Sequence, residues 1–308
     1  MHGVGSVSER TVQRWFKKFR DGNYNLIDER PGRPIEIDND QISSLIENNP
    51  HYTTQEIAEI LGISKSSVKR HLCQLGLIFR YGIWIPHNLS EKNLVDRIAA
   101  CNSLLKRNEN ESFLERLVTG NAKWIVYTNV IQKRHRNPES NLSVTPKVIS
   151  RPKKILLCVW WDWKGILFYE LLPPNQLINS DKYCSQLDRL NENIKEKRPE
   201  LANRKGVVFH QDTARSHVSV QSQQKLRELD WDVLNHPPYS PDLAPSDFYL
   251  FRFLQDSLNG ETFDSLEAFK MYVSRFFAAK DAKFWEDSIT KLPARWQKVI
   301  DQNGQYIK

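Results

Sequence analysis

The sequence predicts an all-α helix-turn-helix region followed by a mixed α/β domain built on a short, hairpin-rich sheet. Three observations carry this reading. Two short helices with cap signals share residues 53–75. From about residue 113 the helical spacing gives way to apolar runs of strand length. The chain has 308 residues, 40% of them hydrophobic and 11% aromatic, which suits two or three domains with sizeable cores.

The helical region begins at the start of the chain. Residues 8–21 read as one amphipathic helix, with Val12, Trp15, Phe16 and Phe19 as its apolar stripe and Arg10, Arg14, Lys17, Lys18 and Arg20 elsewhere on it. A single helix cannot bury Trp15 and two phenylalanines by itself, so residues 1–22 look like the remnant of a first helix-turn-helix that has lost its front. Residues 23–37 form a linker carrying Arg30-Pro31-Gly32-Arg33-Pro34. Arginines flanking Pro-Gly in extended backbone can enter an A·T minor groove, and the same residues also make a plain stiff linker.

Residues 38–80 predict the second helix-turn-helix. Thr53 and Glu56 make a capping box. Ile57, Ile60 and Leu61 recur at helical spacing, and Gly62 ends the helix as a left-handed C-terminal residue does. Ser64 caps the next helix, whose apolar face is Val68, Leu72 and Leu75. Ile42, Leu45 and Ile46 supply a packing helix. The second helix is expected to expose Lys65, Ser66, Ser67, Lys69, Arg70 and His71, short polar and basic side chains suited to base edges and phosphates of a major groove.

The α/β domain is expected over residues 113–308. Residues 123–130, 154–161 and 166–172 read as strands, with Asp162-Trp163-Lys164-Gly165 as a hairpin turn. A helix follows over 180–197, then a buried strand over 206–210 with Asp212 just past its end. Residues 216–229 are helical and 231–234 are another strand. Ser246 caps a helix beginning at Asp247, and two further helices lie near 265–280 and 283–300. Asp212 at a strand end and Asp247 at a helix start can converge on one point. Each also has an ordinary reading, Asp247 as a first-turn acid favoured by the helix dipole and Asp212 as a turn residue.

Composition narrows the function classes. The net charge of +7 allows polyanion binding but does not require it. The longest apolar run, residues 155–161, is far below the roughly 20 residues that span a bilayer, so no membrane association is expected. No signal peptide opens the sequence. Cys73, Cys101, Cys158 and Cys184 are scattered with no CxxC pair, and they read as reduced intracellular thiols rather than a zinc site.

Several motifs, in order, resemble those of the mariner-type transposases. Trp84-Ile85-Pro86-His87-Asn88-Leu89, within the linker 81–112, resembles the family motif Trp-Val-Pro-His-Glu-Leu. Trp160-Trp161-Asp162-Trp163-Lys164-Gly165 matches a family hairpin, and Tyr239-Ser240-Pro241-Asp242-Leu243-Ala244-Pro245 is the family signature intact. Between Asp212 and Asp247 lie 34 residues, the family spacing of its second and third catalytic aspartates. The resemblance implies a ribonuclease-H-like catalytic domain in which three aspartates hold two divalent ions, Mg²⁺ or Mn²⁺, for in-line attack on a phosphodiester. Asp212 and Asp247 would be metal ligands. It further implies double-stranded DNA as partner (element terminal repeats and TA target sites), a homodimer, and the nucleus as the place of action.

The family motif Thr-Gly-Asp-Glu-Lys-Trp here reads Thr119-Gly120-Asn121-Ala122-Lys123-Trp124. Asn121 is neutral where the first catalytic aspartate belongs, so cleavage is expected to be lost or reduced on the order of 10³-fold or more. Glu111 and Glu115 lie on the wrong side of Gly120 to replace it. The alternative reading is a non-enzymatic DNA-binding protein or regulator.

Overall fold

The computed structural model describes residues 9–24, 38–127, 154–173, 176 and 178–307. The chain divides into two compact units, Met1–Gln41 and Ile42–Lys308. In the first, α1 (Glu9–Arg20) is amphipathic but buries none of its residues. Trp15 packs against Phe19 at 5.5 Å and Phe19 stacks on Tyr24 beyond the helix at 5.9 Å, while Phe16 is exposed. Arg30 and Arg33 lie outside the described residues.

The second unit opens with α2 (Asn39–Asn48, entered from the first unit), α3 (Thr54–Leu61) and α4 (Lys65–Gln74). The sequence signals act as expected. Thr53 accepts from the Glu56 amide while the Glu56 carboxylate takes the Thr53 amide, Gly62 sits at φ 67°, and Ser64 accepts from the Ser67 amide. Ile42, Ile46, Ile57, Ala58, Val68 and Leu72 form a small core between the three helices.

Residues 81–112, expected as a linker, are highly structured. β1 (Leu77–Arg80) and β2 (Ile83–Pro86) form an antiparallel hairpin closed by Tyr81 and Gly82, both at positive φ, the two-residue turn whose twist suits a hairpin. This wing is tied to the helices by the Trp84 indole N–H, which donates to the Tyr52 carbonyl at 2.6 Å. After a Ser90 cap comes α5 (Glu91–Asn110), which buries Arg97, Ala100, Cys101 and Leu104.

The α/β part is a five-stranded sheet in the order β5-β4-β3-β6-β7. Its strands are β3 (Leu117–Val126), β4 (Lys154–Asp162), β5 (Gly165–Leu172), β6 (Val208–His210) and β7 (Asp232–Val233). β3, β4 and β5 run antiparallel in turn, and β6 and β7 lie parallel to β3 and to each other. α6 (Ser180–Lys197) makes the long crossover, and α7 (Arg215–Val218) and α8 (Val220–Glu228) the next. Helices α9 (Phe251–Leu258), α10 (Leu266–Ala278), α11 (Ala282–Thr290) and α12 (Leu292–Asp301) complete the chain.

Both faces of the sheet are buried, which is why β4 reads as an unbroken apolar run. Ile155, Leu157, Val159 and Trp161 join the core shared with α5 and α9–α12, while Leu156, Cys158 and Trp160 join the core shared with α6 and α8. The β4–β5 hairpin turns on Asp162, which is fully buried. It accepts from the amides of Lys164 and Gly165 and pairs with Arg198 at 2.7 Å.

Two further elements differ from expectation. The first strand was expected over 123–130. It begins at Leu117 instead, because its earlier half pairs with both β4 and β6 and so is held more firmly than its composition shows. Ser246 does not cap a helix. It opens a wide turn, Ser246–Leu250, and its hydroxyl accepts from the buried Trp161 indole N–H at 3.0 Å.

Candidate active site and nucleic-acid interface

The sheet brings three sequence-distant residues together. β3 and β6 run parallel with Thr119 level with His210, so Asn121 lies two residues further along β3 and Asp212 two residues further on, just past the end of β6. Side chains alternate along β3, which sets Thr119, Asn121 and Lys123 on one face. Asp247 enters from that side, at the start of the wide turn that leads into α9. Asn121, Asp212 and Asp247 all line one cleft of about 690 Å³.

The Asn121 side chain is committed on both ends. Its Nδ2 donates to Asp247 Oδ2 at 2.8 Å, and its Oδ1 accepts from the Ala122 amide at 2.7 Å. The Ala122 amide fixes this orientation, since a backbone N–H needs the amide oxygen and so leaves the nitrogen facing Asp247.

The two aspartates have opposite environments. Burial by itself raises the Asp212 carboxyl, but His217, by charge and by hydrogen bond, and the Ala214 amide outweigh it and hold the group below the ordinary carboxylate range. His217 is fixed in turn by Tyr183, whose ring centroid lies 4.2 Å away. Asp247 is pushed well above the ordinary range, first by burial and then by the Asp212 charge. Lys123 and the Asn121 hydrogen bond oppose this only in part. Lys123 is itself lowered by burial, with Asp247 partly offsetting.

A buried chain stands behind the site. His210 Nδ1 meets Thr119 Oγ1 at 2.9 Å, and His210 Nε2 meets His236 Nδ1 at 3.1 Å. Burial lowers both imidazoles, His210 to about 3 and His236 to about 4.

Asp212 and Asp247 are carboxyl groups, the oxygen-donor type that a hard divalent ion takes. The third position does not fit such an ion, because the Asn121 nitrogen faces Asp247 and its oxygen is already used. Among the described residues no group of three or more His, Cys, Asp or Glu side chains is gathered as a metal cage.

On α4, Lys65, Ser66, Lys69 and Arg70 are exposed and share one face, as their spacing dictates. Ser67 is half-buried, its amide and hydroxyl both engaged with Ser64 Oγ. His71, expected on the DNA-facing side, is buried. It stands three residues after Val68 and one before Leu72, so it belongs to the core-facing stripe.

His217, His236, Lys123 and Arg97 were missed as site or supporting residues. His217, five residues after Asp212, and His236, just before Pro237-Pro238-Tyr239, were within reach of the sequence as polar residues beside the motifs. Nothing in the sequence marks Arg97.

Three family descriptions match the chain. Residues 1–23 match "HTH domain in Mos1 transposase", 41–75 match "Winged helix-turn-helix DNA-binding", and 126–204 match "Transposase (partial DDE domain)". The Mariner Mos1 transposase of Drosophila mauritiana is 37% identical over 302 residues, covering 97% of this chain and 88% of that protein. The human Histone-lysine N-methyltransferase SETMAR is 41% identical over 307 residues, 99% of this chain, which spans only 45% of that longer protein. Crystal structures of Mos1 mariner paired-end complexes with Mg and with Mn share the fold at a TM-score of 0.64 and 37% identity, over 99% of this chain and 90% of theirs. The sheet described above is therefore a ribonuclease-H-like catalytic sheet, preceded by helix-turn-helix elements. From the helical front end through the acidic cleft to the last helix, the chain belongs to the mariner transposase family.

Proposed function

We propose that this mariner transposase binds element-end DNA and that its strand cleavage is lost or strongly impaired. The observation that carries the reading is the Asn121 amide, which donates to Asp247 and accepts from Ala122 where a third carboxylate would face a cation. Asp212 and Asp247 are the residues that would hold a divalent ion, as the Mg- and Mn-bound Mos1 complexes suggest for the family. Such an ion would supply Lewis acidity to the scissile phosphate and acidify an attacking water. His217 keeps Asp212 ionised and aimed. Lys123 offers a cation beside Asp247. With only two charged donors, ion affinity falls, and cleavage drops on the order of 10³-fold or more.

The DNA-binding half of the reading rests on α4. Its Lys65, Lys69 and Arg70 would contact phosphates or base edges, with Ser66 and the half-buried Ser67 close by. The expected partners are terminal-repeat duplex, TA target sites and a second copy of the chain, in keeping with the paired-end complexes of Mos1. The site of action that follows from these partners is the nucleus. A second reading, a DNA-binding regulator without catalysis, is favoured by the same contrast of a fully capped reading helix with a spoiled third ligand position.

The test is metal-dependent nicking of a labelled mariner-end duplex by this protein and by Asn121→Asp. Cleavage appearing only in the variant supports the reading. Cleavage by the unaltered protein at a rate like the variant's refutes impairment. If both bind the duplex and neither cuts, the regulator reading gains.

A further inference from the structure

The cleft that holds Asn121, Asp212 and Asp247 has a second wall. Ile46 of α2 and Asn49, Pro50 and His51, between α2 and α3, line it together with the acidic residues. The two walls are joined by charge. Arg215, three residues past Asp212, donates to the Asn48 side-chain oxygen and to Glu47 Oε2, the latter at 3.3 Å. Lys154, the first residue of β4, lies 4.5 Å from the centre of the Trp124 ring and pairs with Glu56 Oε1. Trp124 also lines the cleft.

Arg215 lines the cleft and Lys154 lies over Trp124, which also lines it, and cations so placed beside a cleft proposed to act on DNA have an obvious occupant, the phosphate backbone. Here the winged domain's carboxylates hold them instead. We propose that Arg215 and Lys154 are phosphate-contacting residues of the catalytic cleft, and that Glu47 and Glu56 occupy them as an intramolecular stand-in for DNA, keeping the cleft shut until duplex displaces them. This rests on the DNA-binding reading above and goes beyond it by naming a backbone-binding surface away from α4 and the device that covers it.

Two further features fit a releasable latch. The Arg215–Glu47 pair is largely exposed, at 63% and 64%, so it is weak and salt-screened. Lys65, Ser66, Lys69 and Arg70 stay exposed in the closed arrangement, so element DNA can be held on α4 before the cleft opens. Glu56 also caps α3 through its other oxygen, and glutamine serves equally at that position of a capping box, so the latch can be cut without unfolding the domain.

The test measures affinity for a short random-sequence duplex across NaCl concentrations by fluorescence anisotropy, on the full chain. Four proteins are compared: unaltered, Glu47→Gln/Glu56→Gln, Arg215→Gln/Lys154→Gln, and all four substitutions together. Thermal melts confirm that each is folded. The carboxylate variant should bind about tenfold tighter at low salt, with a log–log salt slope steeper by about 2, since two cations are freed for phosphates. That gain should vanish when Arg215 and Lys154 are also replaced, the coupling a double-mutant cycle isolates. An unchanged affinity in the carboxylate variant overturns the proposal. So does a gain that persists in full without Arg215 and Lys154, which would be general electrostatics. Failure of all four proteins to bind either this duplex or a mariner-end duplex would overturn the DNA-binding reading as well, and is distinguishable from the other outcomes.

Discussion

Gly120 and Asn121 are neighbours on β3, and each is constrained from a different side. Gly120 pairs across the sheet with Trp160, and a Cβ at Gly120 would come within 2.2 Å of the indole Cδ1. Trp160 cannot retreat easily, because it is stacked on Phe168 at 5.5 Å and packed near Tyr183. Gly120→Ala should therefore destabilise the protein by about 1–3 kcal/mol through overpacking, read as a lower urea midpoint with an unchanged slope. Asn121 carries the opposite tension, between stability and function. Replacing its amide by a carboxylate removes a buried hydrogen bond and sets two acids at contact. Without metal, Asn121→Asp should lower stability by about 1–3 kcal/mol at neutral pH, and millimolar Mn²⁺ should restore the variant far more than the unaltered protein. A melting curve of each, with and without metal, checks this. That Asp212 and Asp247 meet at one cleft, beside Asn121, was legible because motif and spacing mark them. His71 is polar in composition but core by periodicity, since its position relative to Val68 and Leu72 assigns it to the buried stripe of α4.

At the scale of elements, the end of β6 and the loop after β7 are joined by the His210–His236 contact. Both imidazoles fall from 6.5, to about 3 and about 4. A histidine depressed in the folded state binds fewer protons there than in the unfolded chain. Its stabilising contribution is present above pH 6.5 and is lost as pH falls toward the folded values, by about 1.4 kcal/mol for each pH unit crossed. Acid unfolding should accordingly begin below about pH 6.5 and steepen toward pH 4, and His236→Gln should flatten that limb of a stability–pH curve. If the curve is flat between pH 6.5 and 4 in the unaltered protein, the buried pair is not neutral as described. On α4, Lys69→Ala and Arg70→Ala should each weaken duplex binding and reduce the salt slope by about 1, whereas His71→Ala should act through stability. Elements were legible where caps and periodicity agree, as in α3 and α4. The wing was not, because its strands have four residues each. The helix α5 was hidden by Arg97, a charged residue on a buried face, which breaks the apolar pattern that would reveal it.

For the molecule as a whole, Arg97 and Asp242 are the tie between distant segments. The pair is fully buried, with Arg97 Nη2 and Asp242 Oδ2 2.7 Å apart. Arg97 also donates to Ser240 Oγ and to the Gly304 carbonyl, and Asp242 Oδ2 accepts from the Ile307 amide. Thus α5, the Tyr239–Pro245 signature and the chain past α12 share one ionic centre, a few residues before Asp247. Asp242→Ala should cost about 3–5 kcal/mol by leaving Arg97 buried without its partner, visible as a large fall in the urea midpoint. The signature motif was legible in sequence, but its role as an internal clamp was not, since its partner is more than a hundred residues away in the chain. The packing of α2 and α3 against the acidic cleft was equally beyond the sequence, because it rests on surface pairs such as Glu56–Lys154 that no periodicity announces.

In the proposed function a single amide, Asn121, stands uncharged at the third ligand position of an acidic site that Asp212 and Asp247 otherwise form. Calorimetric titration of Mn²⁺ into the unaltered protein and into Asn121→Asp tests it most directly. Weak binding is expected of the former and at least about tenfold tighter binding of the latter, an added 1.4 kcal/mol or more. Equal affinity in the two proteins would contradict it, and would mean that Asp212 and Asp247 hold the ion without regard to residue 121.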